Sequence, residues 1–283
     1  MEQLSSFIES SGFVEAPGMQ IVAFFVLWAI LGLPMVALGA IAGGWRPLQP
    51  LETQQKLLFL ALLYPTAWLL LWGIARVTGQ SLPDYGLSPN ASFWIALVFG
   101  WILALISTAV LYGIQRGAGW IEWSESLSLT TFKNVLPGFL PVAGIALAVS
   151  ATEELVFRGF VQQQLQSVAP LVPAAAIASL LFALGHLIWG AKDAIAQLPG
   201  LWLLGMVLTL ARIVGGGELG LAVGLHGGWI WAIAILETRG LPEPTGRAPA
   251  WVTGDTARPL TGVATGLMLL AVAGLLAIVY HLK

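Results

Sequence analysis

The chain contains a series of apolar runs that are each long enough to cross the hydrocarbon core of a membrane, which is about 30 Å thick. Charged residues make up only 9% of its 283 residues, whereas 58% are hydrophobic, a balance that an ordinary soluble domain does not have. We therefore predict an all-α polytopic membrane protein with about eight transmembrane helices. The predicted helices are residues 19–42, 56–77, 92–115, 138–165, 173–190, 199–214, 218–236 and 260–281.

Polar connectors and the N-terminal segment suggest how the chain is divided. The first residues, 1–18, contain Glu but no Lys or Arg, so we expect no cleaved secretory signal and expect the first helix to be retained. The absence of cysteine excludes thiol nucleophiles, thiolate metal ligands and disulfides. The predicted units are an N-terminal helix pair at 1–79, a core at 80–236, and a loop with a C-terminal helix at 237–283.

The basic residues predict an orientation in the membrane. Short cytoplasmic connectors carry an excess of Lys and Arg. One set of connectors and helix ends holds Arg46, Lys56, Arg116, Lys133, Lys192, Arg239, Arg247 and Arg258. The other set holds only Arg76, Arg212 and Lys283. We therefore expect both termini on the non-cytoplasmic side. The net charge of −2 gives no indication of nucleic-acid binding.

Three charged residues stand within the fourth apolar run: Glu153, Glu154 and Arg158. In a helix, Glu154 and Arg158 lie four residues apart on one face, with the glutamate first, which favours an ion pair. Glu153 is then left without that partner and is a candidate general base. Ionisable residues inside a span are functional candidates by default, although a purely structural ion pair between packed helices explains the same residues.

Two of the three histidines lie inside apolar runs. His281 is near the C-terminal end and is expected to be a solvated residue without chemistry. His186 and His226 need polar partners in an apolar environment. For either residue alone, a structural hydrogen bond to a carbonyl is the default interpretation.

One predicted turn lies about midway between Glu153 and His186 in the sequence. The Pro-rich segment 169–173 predicts a chain reversal near Pro170, and the two residues lie at similar distances on either side of it. Antiparallel helices would place them at similar depth. Phe182 lies one turn before His186 on the same face and is expected to form a wall of the site.

A stripe of small residues surrounds His226. Gly220, Gly224 and Gly228 recur every four residues and permit close helix contact. The stripe alone predicts packing. With His226 embedded in it, close approach to the helices that carry Glu153 and His186 becomes plausible.

Together these residues resemble the CAAX-processing and bacteriocin-processing intramembrane proteases, the CPBP or Abi family. The resemblance covers roughly residues 80–236. The first of the family's three motifs matches Glu153, Glu154 and Arg158, the second matches Phe182 and His186, and the third matches His226. The third motif continues with Asn or Asp four residues after its histidine, where this chain has Ile230.

The resemblance implies hydrolysis of a peptide bond within the membrane. Glu153 and His186 would activate a water molecule and His226 would stabilise the oxyanion, while Glu154 and Arg158 would support the structure. The implied partners are the lipid bilayer and a membrane-anchored protein or peptide. Substrates in the family include prenylated proteins and peptide precursors.

Ile230 leaves two outcomes open, because its side chain cannot donate a hydrogen bond. Another donor replaces the missing amide, the nearest in sequence being the indole N–H groups of Trp229 and Trp231. Otherwise the protein is a catalytically impaired homologue that acts as a membrane scaffold or assembly factor, as part of a membrane protein complex. A transporter is a weaker alternative, since the chain lacks paired halves with broken helices.

A metal-dependent mechanism is a further alternative. Glu153, His186 and His226 are residue types that bind zinc with an open position. The chain has no His-Glu-x-x-His helix, and a carboxylate with a histidine can activate water unaided, so we favour a metal-free glutamate mechanism and predict no cofactor. The segment around Trp229 also resembles cyanobacterial and plastid members, which predicts a plasma or thylakoid membrane location.

Overall fold

The structure is a computed structural model that describes residues 16–46, 49, 51–123, 129–237, 242–255 and 258–282. Of residues 129–137, 191–193 and 237 it describes the backbone alone. The predicted absence of a cleaved signal concerns a segment of which residues 1–15 lie outside the described residues. Lys283, used in the orientation argument, also lies outside them.

Long helices account for nearly all of the described chain, and each coincides with one predicted apolar run. They are α1 (Pro17–Ala42), α2 (Thr53–Val77), α3 (Ala91–Gly117), α4 (Leu129–Glu154), α5 (Leu171–Gly185), α6 (Ala191–Val214), α7 (Gly220–Glu237) and α8 (Val263–His281). Among the described residues, 7 helical segments are long and apolar enough to cross a membrane, and α7 is a shorter apolar helix. The protein is therefore an all-α integral membrane protein, as predicted.

Short elements order the connectors. A 3₁₀ turn, Leu82–Tyr85, precedes α3. Two short strands, β1 (Ile121–Glu122) and β2 (Glu243–Pro244), pair antiparallel and tie the connector after α3 to the connector after α7. A single helical turn, Ala250–Thr253, follows β2. The connector after α7 is thus partly ordered by backbone hydrogen bonds.

Helix α7 lies against both α3 and α4, and glycines make these contacts close. A Cβ atom on Gly228 would lie 2.6 Å from the Cβ of Ala104, and one on Gly100 would lie 2.5 Å from the carbonyl oxygen of Leu221. The glycine stripe of α7 therefore packs, as predicted, but it packs on α3 rather than on the helices that carry Glu153 and His186. Gly227, outside the stripe, brings α7 close to α4.

Helix α4 changes its geometry directly after the two glutamates. It continues without a break as a π-helical segment, Leu155–Val161, and then as an α-helical turn, Gln162–Gln166. All residues of the π-helical segment are buried. π-Helical turns are rare in proteins, and many of those that occur lie at functional sites. The chain then reverses and Pro170 caps the start of α5, as predicted.

Candidate active site

The predicted ion pair is present and lies in the interior of the protein. The guanidinium Nη1 of Arg158 donates to Glu154 Oε1 over 3.0 Å, and both side chains are almost completely buried. The pair spans the junction between α4 and the π-helical segment. Since a buried charge needs a partner, the ion pair accounts for the burial of Arg158.

His226 contacts both adjacent glutamates. Its Nδ1 lies 2.8 Å from Glu154 Oε1, and its Nε2 lies 3.6 Å from Glu153 Oε2. Because Glu154 also accepts from Arg158, it is an acceptor, and Nδ1 of His226 must be the donor. The second nitrogen therefore carries a proton only when the ring is an imidazolium. Two neighbouring carboxylates would compensate that charge.

Phe182 contacts residues from all three motifs. Its ring is fully buried and meets the rings of His186 and His226 edge to face, with centroids 4.7 and 5.8 Å away. The guanidinium of Arg158 lies 4.3 Å above the same ring, a distance that allows a cation–π interaction. The phenylalanine of the second motif therefore orders residues from α4, α5 and α7 around one aromatic ring.

His186 is fixed by the backbone of its own helix. It is the first residue of a 3₁₀ turn, His186–Trp189, that follows α5. Its Nδ1 lies 2.9 Å from the carbonyl oxygen of Phe182, one turn earlier. A carbonyl only accepts, so Nδ1 carries the proton and Nε2 is left as an acceptor. The half-buried ring thus presents a basic nitrogen rather than a donor.

Glu153 and His186 lie on the wall of the same cavity. The cavity has a volume of about 450 Å³ and is lined almost entirely by apolar side chains from α1, α2, the π-helical segment and α5. Glu153 is slightly exposed, whereas Glu154 is fully buried. The expectation that Glu153 and His186 share a site is thus consistent with the structure. Their catalytic roles stay predictions.

Comparison with known families agrees with this geometry. Residues 134–232 match the family model of the Rce1-like type II CAAX prenyl endopeptidases. By this similarity we refer to residues 134–232 as the Rce1-like domain. The match contains all six motif residues of the site and confirms the resemblance to the CPBP family. No curated protein and no solved structure matches the chain significantly.

A tyrosine outside the Rce1-like domain contacts the candidate general base. The hydroxyl of Tyr64, on α2, donates to Glu153 Oε1 over 2.5 Å, and both residues line the cavity. One turn further along α2, the indole of Trp68 donates to Thr152 over 2.8 Å. The sequence argument missed Tyr64. The signal that could have found it is a phenol beside Pro65, in the middle of an apolar run.

The tryptophans near Ile230 have other partners. Trp229 Nε1 donates to Ser107 Oγ over 3.0 Å, and Trp231 Nε1 donates to the carbonyl of Phe139 over 3.0 Å. Each indole has a single N–H group, so neither donor is available to the site in this arrangement. The suggestion that one of them replaces the amide missing at Ile230 therefore finds no support.

Arg212 is a second residue whose role the sequence did not reveal. It was counted among the connectors and helix ends of the predicted non-cytoplasmic side, and the structure places it in the last turn of α6, buried and inside the Rce1-like domain. Its guanidinium donates to the backbone carbonyl of Arg158 and, over 2.9 Å, to the carbonyl of Gly217. Arg212 therefore ties the π-helical segment to the start of α7, which carries His226.

The three residues considered for zinc do not form a metal site in the described part of the chain. Among those residues, no three side chains of His, Asp or Glu are grouped in a way that could hold a metal ion. The side-chain grouping therefore gives the zinc alternative no support, and metal independence stays a prediction.

Proposed function

We propose that this protein is an intramembrane endopeptidase in which Glu153 activates a water molecule. The observation that carries the proposal is that two adjacent glutamates have different surroundings. Glu154 is buried and bound to Arg158 and His226, whereas Glu153 borders an apolar cavity together with His186. The match to an endopeptidase family supports the same conclusion.

The chemistry needs a base beside the scissile bond. Glu153 accepts a proton from water as the water oxygen bonds to the carbonyl carbon, and the carbonyl electron pair moves to the oxygen. His186 presents its unprotonated Nε2 to the same water and orders it. When the tetrahedral intermediate collapses, the C–N bond breaks and the proton held by Glu153 goes to the leaving amine.

His226 is placed to balance charge during these steps. Its Nε2 faces Glu153 at 3.6 Å. In the imidazolium form it donates to the oxyanion, which is the role that the family resemblance implies. Glu154 holds the ring in place through Nδ1, and Arg158 binds the same carboxylate oxygen. Removal of either residue would therefore change the orientation of His226.

The cavity favours a substrate with a large apolar part. It extends from Glu153 to Trp45 and Leu51 in the connector after α1, and to Trp189 after α5. The connector after α1 and the turn after α5 both lie on the side of the membrane that, in the predicted orientation, carries the larger set of basic residues. We infer that a membrane-anchored protein or peptide enters from this side, predicted to be cytoplasmic, with its hydrocarbon anchor or apolar segment in the cavity.

The proposal is tested with purified protein in lipid nanodiscs. The probes are an internally quenched farnesylated peptide that ends in a CAAX sequence, the same peptide without the farnesyl group, and a quenched transmembrane peptide. We expect wild-type protein to cleave at least one probe, and Glu153→Gln and His186→Ala each to abolish cleavage with an unchanged melting temperature. His281→Ala, at the exposed end of α8, is the matched control and should retain full activity.

One observation favours a second function. Ile230 stands where the family has an amide or a carboxylate, so the oxyanion site lacks a donor. If no probe is cleaved by wild type or by Ile230→Asn, although the quenched peptides bind, the protein acts as a membrane scaffold or assembly factor. Full turnover by Glu153→Gln would instead contradict the assignment of the general base.

A further inference from the structure

Because Ile230 provides no hydrogen-bond donor for the oxyanion, the site needs such a donor from another residue. This inference rests on the proposed peptidase function. A tetrahedral intermediate carries a negative charge, and loss of one preorganised donor typically lowers turnover by roughly 100-fold to 1,000-fold. His226 supplies at most one donor to the cavity, since its other ring nitrogen is bound to Glu154. A second donor must come from another element.

Tyr64 has the position and chemistry of that donor. It is the residue of α2 whose hydroxyl reaches the catalytic face of α4, 2.5 Å from Glu153 Oε1. It also lines the cavity, so its hydroxyl lies beside the carboxylate to which the proposed function assigns the activation of water. A distance of 2.5 Å is typical of a strong hydrogen bond to a carboxylate.

The surrounding contacts hold α2 in this register. Trp68 donates to Thr152, so two residues one turn apart on α2 bind two successive residues of α4. The indole of Trp28 on α1 donates to the carbonyl of Leu63 over 3.1 Å, which fixes α1 beside Tyr64. Preorganisation of this kind is what an oxyanion donor requires.

We propose that Tyr64 is a catalytic residue of this protein and that its hydroxyl supplies the oxyanion hydrogen bond that Ile230 cannot supply. In the resting site the hydroxyl donates to Glu153. As Glu153 takes the proton from water, its charge is lost and a charge of the same sign forms on the substrate oxygen. The hydroxyl then donates to the oxyanion by rotation about its C–O bond, and no proton leaves Tyr64.

The experiment compares five proteins in nanodiscs: wild type, Tyr64→Phe, Ile230→Asn, the double variant and Tyr85→Phe. Tyr85 is the matched control, because it is also buried, lies outside the Rce1-like domain and donates through its hydroxyl to a side chain, Gln80, over 3.0 Å. The probe is the quenched farnesylated CAAX peptide. Initial rates give kcat and KM, and thermal melting in detergent reports folding.

The expected result is a fall in kcat of about 100-fold in Tyr64→Phe, with KM within threefold of wild type. Tyr85→Phe should keep kcat within twofold. Because an asparagine at position 230 would restore the missing donor, the double variant should have a kcat at least tenfold higher than that of Tyr64→Phe. A structural role alone would lower the melting temperature and would not be rescued by a residue on α7.

The other outcomes separate this inference from the proposed function. If wild type cleaves the peptide and Tyr64→Phe keeps kcat within threefold, the role of Tyr64 is overturned and the protease stands. If only Ile230→Asn is active, Tyr64 does not compensate and the inference is again wrong. If neither wild type nor Ile230→Asn cleaves any of the three quenched peptides, the proposed function fails and the inference fails with it.

Discussion

The imidazole Nδ1 of His226 lies 2.8 Å from Glu154 Oε1, although the two residues are 72 positions apart in the chain. The second glutamate of the first motif therefore serves the histidine of the third motif as well as Arg158. This relationship explains why two glutamates are adjacent. One orients the histidine inside the protein, and the other faces the cavity.

Replacement of Arg158 by alanine should destabilise the fold. The substitution leaves Glu154 buried beside His226 without its cation, and breaking a buried pair costs about 3–5 kcal/mol. The melting temperature in detergent and the yield of folded protein should both fall. Arg76→Ala removes an exposed arginine near the end of α2 and serves as the control. Equal melting of the two variants would contradict a deeply buried ion pair.

Replacement of Phe182 by alanine should affect both stability and activity. The fully buried ring contacts both histidines and the guanidinium of Arg158, and truncating such a phenylalanine costs about 3–5 kcal/mol. We expect a lower melting temperature and, at a temperature where the variant is folded, a lower kcat. Phe99→Ala, at a 66% exposed position on α3, should change neither quantity. An effect on melting without any effect on kcat would limit Phe182 to packing.

Replacement of Gly224 by alanine should separate α3 from α7. The added Cβ would collide with the carbonyl oxygen of Leu97, and overpacking of this kind costs about 1–3 kcal/mol. Gly113→Ala, on α3, meets nothing within 4 Å and should leave melting unchanged. A neutral Gly224→Ala would mean that the two helices are held less closely than described.

Metal removal should leave peptide cleavage unchanged. In the proposed mechanism Glu153 and His186 activate water without a metal, and among the described residues no three His, Asp or Glu side chains are grouped to hold one. Cleavage of the quenched farnesylated peptide should therefore proceed at the same rate in EDTA, and elemental analysis of the purified protein should find zinc well below one ion per chain. Inhibition by EDTA that added zinc reverses would favour the metal mechanism.

The sequence by itself determined the elements and most of the motif residues. Apolar runs of membrane-spanning length predicted each long helix, because the polar backbone groups of a segment in lipid must form their hydrogen bonds within that segment. The four-residue spacing of Glu154 and Arg158 predicted their ion pair, and Pro170 predicted the reversal before α5. All of these features depend on residues close together in the chain.

Only the tertiary structure decided which residues from distant helices meet. It placed His226 against Glu154, Tyr64 against Glu153, and Arg212 against the backbone of the π-helical segment. It also showed that the glycine stripe of α7 faces α3. Helical periodicity shows which residues share a face, but the rotation and partner of each face are set by side-chain packing between helices, which no local pattern contains.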